Sequence, residues 1–236
     1  MGGIRAVSLW RQLVSDSIGT DKYWSASVLN KSFFDDMRPL IAQYARGCTL
    51  DLGAGRLAWR DVLQSYIGNY ISGDIAVWHT DQDLIFDATG ALPFRDASFD
   101  TVFCCSVLEH DPEPWDALVE TRRVLTPDGC AIISLPFVLH LHDEPHDYYR
   151  FTKYGLKHLA THAGFKVEAI VENGGFFHLL MNPASMIISV LLVKLRLGAL
   201  LSPISKCWVG IAKFLDGLLG MRKAFASNYI AVLRPK

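Results

Sequence analysis

The run Thr49–Leu50–Asp51–Leu52–Gly53–Ala54–Gly55 constrains this chain more than any other stretch. Apolar residues lead up to Asp51, and two glycines follow at alternate positions. Trp59, Val62, Leu63 and Tyr66 then recur at the i, i+3, i+4, i+7 spacing that predicts an amphipathic helix over 57–66. A buried strand, a glycine turn and a helix start together make a cradle where backbone can press against a nucleoside-bearing ligand. No third glycine follows: Leu57 and then Ala58, the last position of a dinucleotide fingerprint, stand in its place, so the turn alone leaves the ligand open.

The same alternation continues along the chain. Leu29, Phe33, Met37, Leu40, Ile41 and Tyr44 mark a helix ended by Gly47, ahead of a strand at 48–52. Further strands are expected at 69–72, 84–86, 101–105, 131–135, 165–171 and 228–233. Pro112 and Pro114 open a helix expected to carry Trp115, Leu118 and Val119 on one face. Thr126–Pro127–Asp128–Gly129 reads as a turn, because proline presets φ and glycine relieves the exit. Thr152 can cap a helix that Gly164 stops. Strands alternating with helices argue for an α/β, mostly parallel sheet covered on both faces. The expected organisation is an N-terminal helical segment at 1–47, a core at 48–171, a helical insertion at 172–227 and a final core strand at 228–236.

Charge divides unevenly. Residues 1–176 hold 15 Lys+Arg against 23 Asp+Glu, a net of −8, whereas 177–236 hold 8 against 1, a net of +7. The near-zero total gives no case for nucleic acid. Five cysteines (Cys48, Cys104, Cys105, Cys130, Cys207) show neither a CxxC pair nor zinc spacing, and four fall at or within expected strands, so reduced, buried thiols are expected. Arg5 is present without an apolar h-region, so no signal peptide and a cytoplasmic location are expected.

In a parallel sheet ligands bind beyond the carboxyl ends of the strands. Asp74 ends the second strand, 23 residues after Asp51, the offset at which a carboxylate grips ribose hydroxyls. Asp87 ends the third, where it can accept from an exocyclic amine. Around these, Leu50–Gly55, Gly73–Asp74–Ile75, Asp87–Ala88, Leu92–Pro93–Phe94, Ser98–Phe99–Asp100, Val107–Leu108–Glu109–His110 and Arg123–Gly129 fall in order. The ordered set resembles class I S-adenosylmethionine-dependent methyltransferases of the type-11 family, over about 46–176 and the last strand.

That resemblance implies a three-layer Rossmann-like sandwich, with six parallel strands and an antiparallel seventh. It implies S-adenosyl-L-methionine as cofactor, with Gly53 and Gly55 giving close backbone access and Asp51 orienting the loop. Asp74 with Ile75 beside it would hold the ribose, Asp87 and the Ala88 backbone the adenine, and Ser106 would lie near the methionine portion. Arg56, Leu57 and Trp59 are bulkier than the family's usual residues there. A nicotinamide-dependent oxidoreductase, the rival on a similar sheet, would carry the third glycine and no acid at 87.

Methyl transfer from a sulfonium needs alignment above all, and a general base where the acceptor is a hydroxyl or protonated nitrogen. His110, just beyond the fourth strand, is the first candidate, against the alternative that Glu109–His110 only stabilises its loop. The run His140–Arg150 follows the fifth strand and adds His146 and Tyr149 to the catalytic candidates. Its histidines and carboxylates invite a metal reading, yet their linear spacing matches no regular helix-based site, and none is expected.

Residues 172–227 are unusual. Ala184–Val193 is nearly unbroken apolar sequence, Trp208, Ile211, Ala212, Leu215, Leu218 and Leu219 share a helical face, and Lys194, Arg196, Lys206, Lys213, Arg222 and Lys223 punctuate them. A lid, a homodimer surface, or a peripheral anchor on the inner face of a membrane through 177–225 all fit. Spanning is disfavoured because the cleanest apolar window has ten residues. The expected activity is methyl transfer to a small-molecule or lipid- or polysaccharide-linked acceptor. A non-catalytic, cofactor-binding membrane adaptor stays open as its rival.

Overall fold

In a computed structural model the chain is described over residues 2–236, with side chains from Leu9 onward. The elements run α1 (Gly2–Asp16), α2 (Asp21–Trp24), α3 (Val28–Tyr44), β1 (Cys48–Leu52), α4 (Arg60–Gln64), β2 (Asn69–Asp74), β3 (Leu84–Ile85) and β4 (Phe99–Cys105). A 3-10 turn at Leu108–His110 precedes α5 (Pro114–Val124), β5 (Leu125–Pro136), α6 (Lys153–His162), β6 (Phe165–Asn173), α7 (Phe176–Lys194), α8 (Leu201–Leu218) and β7 (Asn228–Pro235). The chain forms two compact units: residues 1–36 with 172–227, and residues 37–171 with 228–236. The boundary at 36/37 falls inside α3, so the expected 1–47 segment contributes to both.

The second unit holds the seven-stranded sheet, ordered β3-β2-β1-β4-β5-β7-β6. The pairings from β3 through β5 are parallel, and β5 pairs with β7 antiparallel, as expected. Order reverses between β1 and β4, which sets the ligand crevice beyond their carboxyl ends. Leu50, Leu52, Val102, Phe103, Ile132, Leu135, Ile230 and Val232 are buried almost completely, the near-continuous apolar strands that two covered faces require. Thr152 Oγ1 accepts from Gly155 N at 3.0 Å and caps α6, and Gly164, at φ +79°, ends that turn.

Three details differ from the sequence expectation. The helix anticipated over 57–66 is only five residues long, because 53–59 coil through turns first. Trp59 and Leu63 still bury, but Tyr66 does not. The strand at 131–135 is part of a longer β5, and Thr126–Gly129 forms an irregularity within it: Phe99 pairs with Leu125, but Thr101 already pairs with Cys130. On α5 the buried face is Pro114, Ala117, Leu118, Thr121 and Val124, whereas Trp115 and Val119 are exposed. All five thiols are free; Cys104 and Cys130 are buried, Cys48 and Cys105 half-buried, and Cys207 exposed.

In the first unit α7 and α8 form the expected helical piece. Asp36 receives Lys213 Nζ and Arg222 Nη2, each at 3.0 Å. Asn173 donates to Ser32 and Asp36. Two of the insertion's cations therefore serve internal ion pairs. At 19 residues α7 is long and apolar enough to cross a membrane by length and composition, and 22 % of that stretch is buried. That is longer than the ten-residue window read from sequence, because a helix tolerates His178, Asn182 and Pro183 within it.

Candidate active site

The glycine turn is wired to β2. Gly53 N and Ala54 N donate to the Gly73 carbonyl at 2.9 and 3.1 Å, and Gly55 N donates to Asp74 Oδ2 at 2.8 Å. Gly53 sits at φ +71°, and a Cβ there would stand 2.3 Å from the Val107 side chain, so only glycine fits. Gly55, at φ +51°, has open space where a Cβ would point. Leu57 adopts φ +59°, the left-handed conformation for which a glycine would be suited.

Asp51 is buried beneath this loop and accepts from the Tyr70 hydroxyl at 2.6 Å. Burial pushes its carboxyl up to about 7, against the Tyr70 hydrogen bond and with help from Asp74. The Asp74 carboxylate also accepts from Ile75 N at 2.7 Å and from Trp78 Nε1 at 2.9 Å, both on Oδ1. Oδ2 keeps one acceptor site beside the Gly55 contact. Asp87 Oδ1 accepts from Thr89 N and Thr89 Oγ1, which leaves Oδ2 free to receive a further donor. Ile75 is exposed and Ala88 half-buried at the same sheet edge.

At the end of β4, Ser106 holds φ +54° and donates through its backbone N to Ser134 O and Oγ at 3.2 and 3.1 Å. Thus Gly53, Gly55 and Asp74 are joined at one strand end, with Ser106 at the end of the adjoining strand. These groups suit S-adenosylmethionine: a loop with open space beside Gly55, and carboxylates at the ends of β2 and β3. Other residues from the ordered set serve the fold instead. Arg123 donates to the Leu92 and Phe94 carbonyls and to Glu120 and Asp96, tying down the 92–96 loop.

Beyond β4 and β5 lies the second group. His110 Nδ1 stands 2.7 Å from the His146 carbonyl. The His146 ring is exposed, with Nδ1 3.2 Å from the Tyr148 hydroxyl. The Tyr149 hydroxyl donates to the Pro112 carbonyl at 2.8 Å, a contact that pins the loop. Arg150 clamps Asp147 through both nitrogens, at 2.6 and 2.7 Å, and holds the Asp147 carboxyl far below its ordinary range.

Sequence reasoning named two residues here only within longer runs and did not pair them. Glu109 is fully buried, and neither carboxylate oxygen accepts a hydrogen bond from another residue. Burial pushes it up to about 8, although its own backbone N–H and Arg150 pull the other way. His142 lies beside it, its imidazole held below the ordinary range chiefly by burial. The 32 residues between Glu109 and His142 hid the pair, because only the β4–β5 pairing brings them together.

The family described as "Methyltransferase domain" matches residues 50–133. An uncharacterized methyltransferase of Mycobacterium avium is 33 % identical over 126 residues, covering 48 % of this chain and 49 % of that protein. The chain thus spans about half the length of the curated relatives it matches. A solved structure of the Burkholderia thailandensis 1,6-didemethyltoxoflavin-N1-methyltransferase, with bound 1,6-didemethyltoxoflavin and S-adenosylhomocysteine, aligns with TM-score 0.52. The identity is 15 %, over 89 % of this chain and 78 % of that one. The [4+2]-cyclase SpnF aligns with TM-score 0.56 at 16 % identity, over 85 % of this chain and 81 % of that one. A cyclase and a methyltransferase on one fold show that the fold is shared more widely than the activity. The glycine turn, the acidic strand ends and the family match agree: residues 50–133 carry the pattern of a methyltransferase domain.

Proposed function

We propose that this chain transfers the methyl group of S-adenosylmethionine to a small-molecule or lipid-linked acceptor. The cofactor supplies an electrophilic methyl on a sulfonium, and the protein's part is to hold and align it. The observation that carries this reading is the Asp74 carboxylate. It fixes the Gly55 N–H and retains acceptor capacity for ribose hydroxyls at the same strand end. Trp78, which is exposed, can turn aside to free Oδ1. Asp87 Oδ2 would take the adenine amine. With its Nδ1 facing a carbonyl, His110 carries its proton there, and in the metal-free protein Nε2 is the nitrogen left to take an acceptor proton.

The acceptor class is argued from the first unit. Leu180, Ile187, Leu191, Leu195, Phe214 and Leu218 are exposed on or beside α7 and α8, with exposed Lys194, Arg196, Lys206 and Lys223 among them. Apolar surface bordered by cations suits an anionic lipid interface, and a lipid-linked acceptor would be met there.

Calorimetric titration with S-adenosylmethionine tests the first claim. Asp74→Ala should weaken binding by about 1–3 kcal/mol, the scale of a lost charge-assisted hydrogen bond, and unchanged affinity refutes the assignment. Methyl-tritiated cofactor incubated with a source-cell extract should label an acceptor. Binding without any transfer would favour a non-catalytic adaptor. Flotation with anionic liposomes tests the third claim, and a protein that stays wholly unbound removes the membrane reading.

A further inference from the structure

Glu109, His110 and His142 converge outside the cofactor cradle. One ligand atom from each, a carboxylate oxygen and two imidazole nitrogens, lies within 4.8 Å of the others. Each histidine Nε2 is 3.9 Å from Glu109 Oε1, and the two rings stand edge to face at 81° with centroids 4.8 Å apart. A fully buried carboxylate with no donor from another residue is costly to keep unless something else meets it.

The histidines are oriented for that partner. His110 Nδ1 is turned to the His146 carbonyl at 2.7 Å. His142 Nδ1 faces the His140 carbonyl at 3.3 Å and Asp147 Oδ2 at 3.5 Å, with Arg150 Nη2 also at 3.5 Å. A proton on each Nδ1 leaves both Nε2 lone pairs directed at Glu109, and a carboxylate behind a histidine is the usual second layer of a metal site. The support is firm: Tyr148 N and Tyr149 N both donate to the Glu109 carbonyl, at 2.9 and 3.3 Å. Asp143 Oδ2, largely exposed, lies 3.9 Å from His110 Nε2 and is free to swing inward.

We propose that Glu109, His110 and His142 form a site for a divalent transition-metal ion, with Asp143 or water completing its shell. Two imidazoles and one carboxylate are the ligand types for zinc, manganese or iron(II). Ligand atoms about 2.1 Å from a shared ion stand roughly 3–3.5 Å apart, so side-chain rotations that draw the atoms together by about 0.5 to 1.5 Å close the set. An ion on Nε2 takes the lone pair that a general base would need, and itself lowers the pKa of a coordinated acceptor hydroxyl. That use rests on the methyl-transfer reading, whereas metal binding does not.

The full chain, stripped with chelator and dialysed, is titrated with Zn²⁺, Mn²⁺ and Co²⁺ by calorimetry, with Co²⁺ also followed by its visible absorption. We expect one ion per chain. Glu109→Gln and, separately, His142→Ala should each weaken binding at least tenfold, and His158→Ala, an exposed control on α6, should change nothing. Absence of stoichiometric binding by the folded wild-type chain, or equal binding by both variants, overturns the site. Circular dichroism checks that each variant folds; should Glu109→Gln unfold, His142→Ala decides alone, with His142→Asn in reserve. Metal bound without methyl transfer would fail the activity and leave the site standing.

Discussion

Two fully buried carboxylates stand beside histidines in this molecule, one in each unit, and their surroundings are opposite. Asp216, in the helical unit, accepts from Phe177 N at 3.0 Å and holds His178 Nδ1 at 2.7 Å. Glu109, in the sheet unit, faces two histidine nitrogens at 3.9 Å and receives nothing from another residue. The residue types are the same; the extra ångström separates an internal fastening from a site that can still take a ligand. Asp51 lies between these cases, with the Tyr70 hydroxyl as partner and a carboxyl pushed up by burial.

The largest effect should come from the fastened pair. Asp216→Ala leaves the Phe177 N–H and the His178 ring without acceptors in a closed interior and should cost about 3–5 kcal/mol in a urea melt. A loss below 1 kcal/mol would erase the contrast. At Glu109 the sign should invert. Glu109→Leu removes an unpartnered polar group at similar volume and should stabilise the metal-free protein by about 1–2 kcal/mol. A destabilisation matching that of Asp216→Ala would mean that Glu109 is fastened too.

Asp51 sharpens the comparison through pH. Its folded carboxyl titrates near 7, above the unfolded value of about 3.9, so the folded state binds the proton more tightly. The stability this contributes is complete below about pH 4 and is lost as pH rises through 7. Asp51→Asn should flatten the fall in unfolding free energy between pH 4 and 8, by up to about 4 kcal/mol, the linkage value of a carboxyl raised from about 3.9 to about 7. Parallel curves for the two proteins would refute the raised carboxyl.

The sheet was legible because its signals are local. Leu50–Asp51–Leu52, Val102–Phe103–Cys104 and Ile132–Ile133 announce buried strands by composition, and Gly53, Asp74 and Asp87 mark their ends. Where local pattern competes with tertiary geometry the reading weakened. Trp59, Val62, Leu63 and Tyr66 have helical spacing, yet the turns through Leu57 leave only Arg60–Gln64 helical. The apolar run of α7 says nothing of whether another surface covers it. The Glu109–His142 pair was invisible because its two halves are set side by side only by a parallel strand pairing. Linear ligand spacing has no access to such a site.

Leu57 has a thermodynamic corollary. A leucine held at φ +59° costs the folded loop roughly 1–2 kcal/mol relative to an unstrained position, yet it also narrows the unfolded and partly opened ensembles far more than glycine would. Leu57→Gly relieves that strain and should stabilise the fold by about 1 kcal/mol in a urea melt, because a side chain held at positive φ costs more in the folded loop than it saves in the unfolded chain; an unchanged or lowered midpoint would refute it. The turn is therefore held in place by its wiring to β2, against the preference of a leucine just past its second glycine.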